Sequence, residues 1–364
     1  MRRTFRTPMT ARSGFTLVEL LVAAALCVVI MYVLATAFKA GTDTLSGLKS
    51  IGGMADQLRS AQVILNHDLG AQHLEDEDGN KVLVSRMNPG EVWTAPNRGY
   101  FKIVQGGWTD EGADGEGISS LRATGNALQF TVKLSGRGPQ EGFTANAPAV
   151  LVNSHGNLKS LSTSQFASRW AEVSYFLGPV VGQTDTADGS LASLNLQTLY
   201  RRQRVIAEGN PMVIVDPIAG GSATLQQINW PDLATRTVST TPPNETANNE
   251  TWTVQHIASF SAANRLTALT PLTSTNDKGS DILLANVVSM QVQVMLDGST
   301  TFGDFAGVDA SHTATFDTAS GTLAHNPVLM TPVQRPKIRA VKLILRVYDT
   351  KNKMTRQVSI VQAL

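Results

Sequence analysis

The sequence predicts an α+β fold: a long N-terminal α-helix, membrane-spanning in its first half, packed on a mainly antiparallel β-sheet domain with long loop insertions. Three observations predict it. An apolar run from Phe15 to Phe38 continues into an amphipathic pattern that reaches about His73. Beyond Glu75 the pattern changes to short runs of alternating apolar and polar residues. Between those runs lie long segments rich in Gly, Thr, Asn and Pro.

The apolar run FTLVELLVAAALCVVIMYVLATAF holds 24 residues and a single charged side chain, Glu19. A helix rising about 1.5 Å per residue would carry it across a hydrocarbon core of about 30 Å. Arg2, Arg3, Arg6 and Arg12 precede it with no acid among them, whereas Lys39 and then Asp43 follow. That bias holds the N-terminus in the cytoplasm and sends the rest of the chain outward. A secretory signal cleaved near Ala35-Thr36-Ala37 and a plain membrane anchor fit the same run; a buried core helix fits its length and arginine flank poorly.

Neither a signal nor an anchor gains from Glu19, because a carboxylate in a membrane span costs up to about 2.5–3.5 kcal/mol at mid-bilayer. Cleavage between Gly14 and Phe15 supplies a reason for it. The cut frees an α-amine of reference pKa about 7.7–8.0, mostly cationic at neutral pH. Glu19 lies four residues along the same helical face, able to neutralise its own amine or that of a packed neighbour.

The second half of the helix, residues 39–73, carries Leu45, Leu48, Ala55, Leu58, Leu65 and Leu69 at spacings of three, four or seven. That stripe reads as a docking face for the sheet, with Arg59, Gln62, Asn66 and Asp68 mostly elsewhere on the wheel. Gly41, Gly47, Gly52 and Gly53 each weaken the helix by about 1 kcal/mol relative to alanine and mark a soft or bent stretch.

Residues 74–364 then read as a β-rich domain. Alternation is plain at Leu128–Leu134, Val173–Leu177, Val288–Val294 and Val341–Val347. Val341–Val347, the Asp349–Lys353 turn and Val358–Val361 predict a terminal β-hairpin. Gly106–Gly117, Ala234–Trp252 and Asp297–Pro336 read as irregular excursions, the second as a solvated loop. No clean linker separates a second core.

Composition narrows the function classes. Thirty basic residues against 29 acidic ones exclude a strongly basic nucleic-acid binder. Without residues 1–14 the counts become 26 and 29, a net of −3. One cysteine, Cys27, excludes an intramolecular disulfide and any multi-cysteine metal centre. Asp76-Glu77-Asp78-Gly79-Asn80 fails as an EF-hand, with Lys81 at the glycine position and Met87 at the bidentate position. Asp110, Glu111, Asp114 and Glu116 read as a solvated acidic loop rather than an oxygen-ligand site.

Ser46-Gly47-Leu48-Lys49 matches an acyl-enzyme spacing but lies on the helix without the companion motifs. His67 and His73, six apart, miss the helical zinc spacing. The tryptophans are dispersed as core or loop anchors, and no phosphate-cradling lysine loop occurs. These residues predict no catalytic site, no metal and no cofactor.

Leader arginines, a glycine, an aromatic residue and then Thr16-Leu17-Val18-Glu19-Leu20 together form a signature. This segment resembles the class III signal of type IV prepilins and type II secretion pseudopilins. The resemblance implies a pilin-like fold, cleavage at Gly14-Phe15 by a membrane prepilin peptidase, N-methylation of Phe15, and Glu19 as the assembly residue. It implies a structural subunit in the inner membrane with a periplasmic domain, whose partners are the peptidase, other pilins or pseudopilins, and an assembly platform.

Gln57-Leu58-Arg59-Ser60-Ala61-Gln62 leading to Asp68-Leu69, the Val173-Ser174-Tyr175 strand with Leu199-Tyr200-Arg201, and Leu284-Ala285-Asn286-Val287-Val288 resemble J-type minor pseudopilins and PilW-like minor pilins. The single cysteine and the lack of proline between Phe15 and Asn88 depart from major pilins, which commonly have a disulfide-closed loop and a proline kink. The competing expectation is an anchored or secreted periplasmic protein whose β-domain binds a ligand.

Overall fold

A computed structural model describes residues 16–86, 95–113, 119–135, 142–146, 165–178, 196–208, 280–320, 322–326 and 336–364. It also describes the strands at 213–215, 235–238 and 251–254, and single residues Ile257 and Arg265. The chain divides into two compact units, Met1–Met54 and Ala55–Leu364.

One helix, α1, runs from Leu17 to Gly70. It stays helical through Gly41, Gly47, Gly52 and Gly53, the stretch expected to be soft or bent. It ends three residues before His73, because Gln72 leaves the helix to bridge Lys133 on the sheet. Pairing with a strand overrides helix propensity there.

In the second unit the last turns of α1 bury Leu58, Ala61, Leu65 and Leu69. Each large side chain so buried contributes about 1.5–3 kcal/mol relative to exposure. Leu45 and Leu48, in the first unit, are 68% and 61% exposed.

Among the described residues the largest sheet has nine strands, all antiparallel to their neighbours. In chain order they are β1 (Phe101–Gln105), β2 (Ala127–Lys133), β3 (Trp170–Gly178), β4 (Gln197–Ile206) and β5 (Ser280–Leu296). There follow β6 (Thr313–Asp317), β7 (Thr322–Asn326), β8 (Ile338–Asp349) and β9 (Met354–Ala363). Their spatial order is β7-β6-β1-β2-β3-β4-β5-β8-β9. After β5 the chain thus crosses to the far edge, forms a hairpin, and returns to complete the sheet beside β5.

Four of the five runs expected as strands lie within strands, and the fifth, Leu128–Leu134, overruns β2 by Leu134 alone. The expected terminal hairpin is β8–β9, paired without a break from Ala340↔Ala363 to Asp349↔Met354. Inside β5 the register slips around Asn286, whose φ of 55° an asparagine tolerates better than most residues.

The loop expectations need correction. Gly106–Gly117 contains a strand, Trp108–Ala113, paired with Ser119–Ala123. Asp297–Pro336 contains the β6–β7 hairpin, whose Phe316 is buried. Thr235–Val238, inside the segment expected to be a solvated loop, pairs with Thr251–Val254, which overlaps the end of that segment, and Val213–Val215 joins them. Each of these strands is too short, or too rich in Gly and Thr, to show alternation over four to eight residues.

β3 is buried along its whole length on both faces. One face receives the helix through Tyr175; the other carries Trp170 and Glu172. Gln105 ties the ends of the fold, donating from Nε2 to the Val292 carbonyl at 2.6 Å and accepting from the Phe305 N–H at 2.7 Å. Gly99 has a φ of 83°, and a Cβ there would come within 2.2 Å of the His73 carbonyl, so only glycine fits.

Candidate processing and assembly site

The described chain begins at Thr16, so Gly14 and Phe15, the expected cleavage and methylation positions, lie outside the described residues. Just after them a local hydrogen-bond pattern starts the helix. The Thr16 N–H donates to Glu19 Oε2 at 3.0 Å, and the Glu19 N–H donates to Thr16 Oγ1 at 3.2 Å. The Thr16 hydroxyl also donates to Glu19 Oε2, at 3.1 Å.

This is a reciprocal capping box, with Thr16 at the N-cap and Glu19 three residues on. It satisfies two of the backbone N–H groups that every helix start leaves unpaired. The negative side chain also faces the positive end of the helix dipole. The capping box was legible as Thr-x-x-Glu before an apolar run, yet the sequence reading used Glu19 only after cleavage, against its own amine or a neighbour's. Glu19 thus also serves its own helix, with or without cleavage.

From Leu17 to Phe38 the apolar side chains point outward, with Leu17, Leu20, Val28, Tyr32 and Phe38 all well over half exposed. Among the described residues α1 is the one helix long and apolar enough to cross a membrane, by length and composition. Thr36 satisfies its hydroxyl internally by donating to the Val33 carbonyl at 2.9 Å, as a span in lipid requires. Cys27 is exposed on the same stretch and is not in a disulfide.

The residues that carried the minor-pseudopilin resemblance converge in the second unit. Asp68, at the end of α1, is buried, which corrects its expected place on the polar side of the wheel. It accepts from the Tyr175 hydroxyl at 2.5 Å and from Arg201 Nε at 2.8 Å. Its position follows Ala61 and Leu65 by seven and three, the spacing of the buried face, so its burial was readable. Its partner, 133 residues away, was not.

On the opposite face of β3, fully buried Glu172 accepts from the Tyr100 hydroxyl, from Gln129 Nε2 at 3.1 Å and from Arg204 Nε at 2.8 Å. Arg265 lies 3.8 Å above the Tyr100 ring and pairs with Asp317 at 2.6 Å. Burial and the adjacent carboxylate push both tyrosine hydroxyls above their ordinary pKa. These groups hold the fold through paired buried charges.

His73 is also structural. Its Nδ1 lies 2.8 Å from the Thr131 carbonyl and its Nε2 lies 3.1 Å from the Leu69 carbonyl in the last helical turn. Phe101 and Phe130 stand edge-on to its ring at 5.0 and 4.9 Å. Burial lowers its pKa, outweighing the pull of the two carbonyls. His67 sits beside Asp68 at 3.2 Å, with its side chain 61% exposed.

The acidic segments turn inward on themselves. Asp76 accepts from the Asn80 N–H and side-chain amide at 2.7 and 3.1 Å, which lowers its pKa. Glu77 accepts from Asn97, while Glu111 pairs with Arg346 and Arg122. Asp114 and Glu116 lie outside the described residues. Among the described residues no three His, Cys, Asp or Glu side chains are grouped to hold a metal ion.

Neither a curated protein nor a solved structure matches the chain. Residues 9–34 match the family model of the prokaryotic N-terminal methylation motif, so this chain carries the signal of type IV pilin-like prepilins at the head of its apolar helix.

Proposed function

We propose that the chain is a minor pseudopilin or minor pilin, a structural subunit built into a type II secretion pseudopilus or a type IV pilus at or near its tip. The observation that carries this reading is the methylation motif over residues 9–34 running directly into one long apolar helix that leads to a β-domain. Prepilin peptidase cuts between Gly14 and Phe15 and methylates the new amine. The four arginines of the leader hold it on the cytoplasmic side, and the sheet lies in the periplasm.

Assembly then exchanges lipid contacts for helix contacts, which Ala23, Ala24 and Ala25 favour by permitting close approach. Glu19 can cap and pair together. Its Oε2 is engaged by Thr16, whereas Oε1 has no partner among the described residues. That free oxygen is available to the amine of an adjacent subunit in the filament core. Energy for extraction comes from a separate cytoplasmic motor acting through an inner-membrane assembly platform.

Mass spectrometry of the mature N-terminus tests this reading. N-methylated Phe15 is expected in cells that contain an active prepilin peptidase. A retained Met1, or a terminus near Phe38, overturns it in favour of an anchored or secreted periplasmic ligand-binding protein.

A further inference from the structure

Among the described residues β9 is the last strand of the sheet, paired with β8 on one side alone. The Leu364 N–H donates to the Arg339 carbonyl at 3.1 Å, in step with the Ala340↔Ala363 register. In an antiparallel ladder hydrogen-bonded pairs alternate. Even-numbered residues of β9 therefore turn their N–H and C=O toward β8, and Thr355, Gln357, Ser359, Val361 and Ala363 turn theirs outward. All five are exposed.

Proteins usually blunt such an edge with shortness, proline, a bulge or charge. β9 is ten residues long, unbroken in register, without proline, and Arg356 is its one charged residue. Met354 and Val361, 47% and 55% exposed, add apolar surface.

Charge indicates what would bind there. Residues 336–364 hold seven basic side chains and one acidic, a net of +6. Residues 15–335 hold 19 basic and 28 acidic, a net of −9. Lys337, Arg339 and Arg346 meet Asp297 or Glu111 within the chain, whereas exposed Lys353 and Arg356 lie at the turn end of the open edge. An identical edge would bring together two hairpins that each hold six basic and one acidic side chain over residues 338–363, a net of +5, so a second copy is disfavoured.

We propose that the outer edge of β9 takes up, by main-chain hydrogen bonding, a β-strand bearing acidic side chains from a different protein. The proposal stands on the sheet edge and its charge alone, and does not depend on the filament reading.

The test places a benzophenone amino acid at Gln357, Ser359 or Val361 of the full chain in its own cells. After irradiation the adducts are identified by mass spectrometry. All three positions should react with one net-acidic segment of one other protein. With the probe at Gln357, Ser359→Pro should lower the yield about tenfold, since it removes an outward N–H. The β8–β9 ladder does not use that N–H, so the unfolding midpoint of the purified chain should hold.

Val361→Pro repeats the test at a second outward position, and Lys353→Glu with Arg356→Glu should lower the yield severalfold. Absence of adducts, adducts with a second copy, adducts with a segment lacking net acidic charge, or insensitivity to both prolines overturns the proposal.

Discussion

Asp68 at the end of the helix and Tyr175 at the centre of the sheet meet at 2.5 Å, with Arg201 completing the contact on the same carboxylate oxygen. Removing one partner strands the others away from water. Arg201→Leu should cost about 3–5 kcal/mol, because it leaves a buried carboxylate without its cation. Tyr175→Phe should cost about 1–3 kcal/mol through the unpaired acceptor. Denaturant unfolding of the detergent-solubilised chain, read by tryptophan fluorescence, should show the double variant losing less than the sum of the two. Additive losses would mean that the three groups do not act as one network.

That network marks the limit of what the sequence makes legible. Leu58, Leu65 and Leu69 report helix burial because period is a local property, and β8 and β9 report themselves through strict alternation. Glu172 sits in a strand read from Val173, Tyr175 and Leu177, but its partners Gln129 and Arg204 lie on the two neighbouring strands and Tyr100 lies just before β1. Pairing of that kind is fixed by register, which one strand cannot specify for another. At the candidate site the balance differs. Thr16 and Glu19 are three residues apart, so their bond is written locally; whether the open oxygen meets an amine depends on a second molecule.

His73 should make the protein acid-sensitive. Burial holds its folded pKa below the unfolded value of 6.5. Above pH 6.5 both states are neutral and stability is unaffected by this group. As pH falls below 6.5 the unfolded chain binds a proton that the folded chain refuses, so stability drops toward the folded pKa. The slope from this residue is at most about 1.4 kcal/mol per pH unit. Unfolding midpoints between pH 7.5 and 5.5 should fall for the parent and stay flatter for His73→Gln. Equal slopes would exclude His73 as the cause.

The capping box makes two separable claims. Thr16→Ala should release the Glu19 N–H, and Glu19→Ala should release the N–H of residue 16. Each loss is worth about 0.5–2 kcal/mol, so amide exchange at the affected site should quicken by about 2- to 30-fold. Thr16→Ser should exchange like the parent. The filament role of Glu19 adds a different expectation: Glu19→Ala is still processed to Phe15 but is absent from purified filaments. Normal incorporation would leave the glutamate as a cap alone.

Gly52 and Gly53 lie in a continuous helix, and a Cβ at either would meet nothing within 4 Å. If local propensity alone governs that stretch, Gly52→Ala and Gly53→Ala should each stabilise it by up to about 1 kcal/mol. Amide exchange over residues 50–56 would then slow by up to about fivefold per substitution. No slowing would show that another interaction, beyond propensity, sets the stability there.

The two buried tyrosines set the alkaline limit. Tyr100 and Tyr175 both donate to buried carboxylates, and burial with those neighbouring charges raises their folded pKa above the unfolded value near 10. Below pH 10 both hydroxyls keep their protons in either state. Above it the unfolded chain loses protons that the folded chain retains, so stability falls as pH rises. Each tyrosine adds at most about 1.4 kcal/mol of slope per pH unit. Tyr175→Phe should start from a lower stability at pH 8 and lose less between pH 10 and 11 than the parent. A variant that declines as steeply as the parent would show that lysine deprotonation, common to both proteins, governs alkaline unfolding and that the Asp68–Tyr175 bond has already opened.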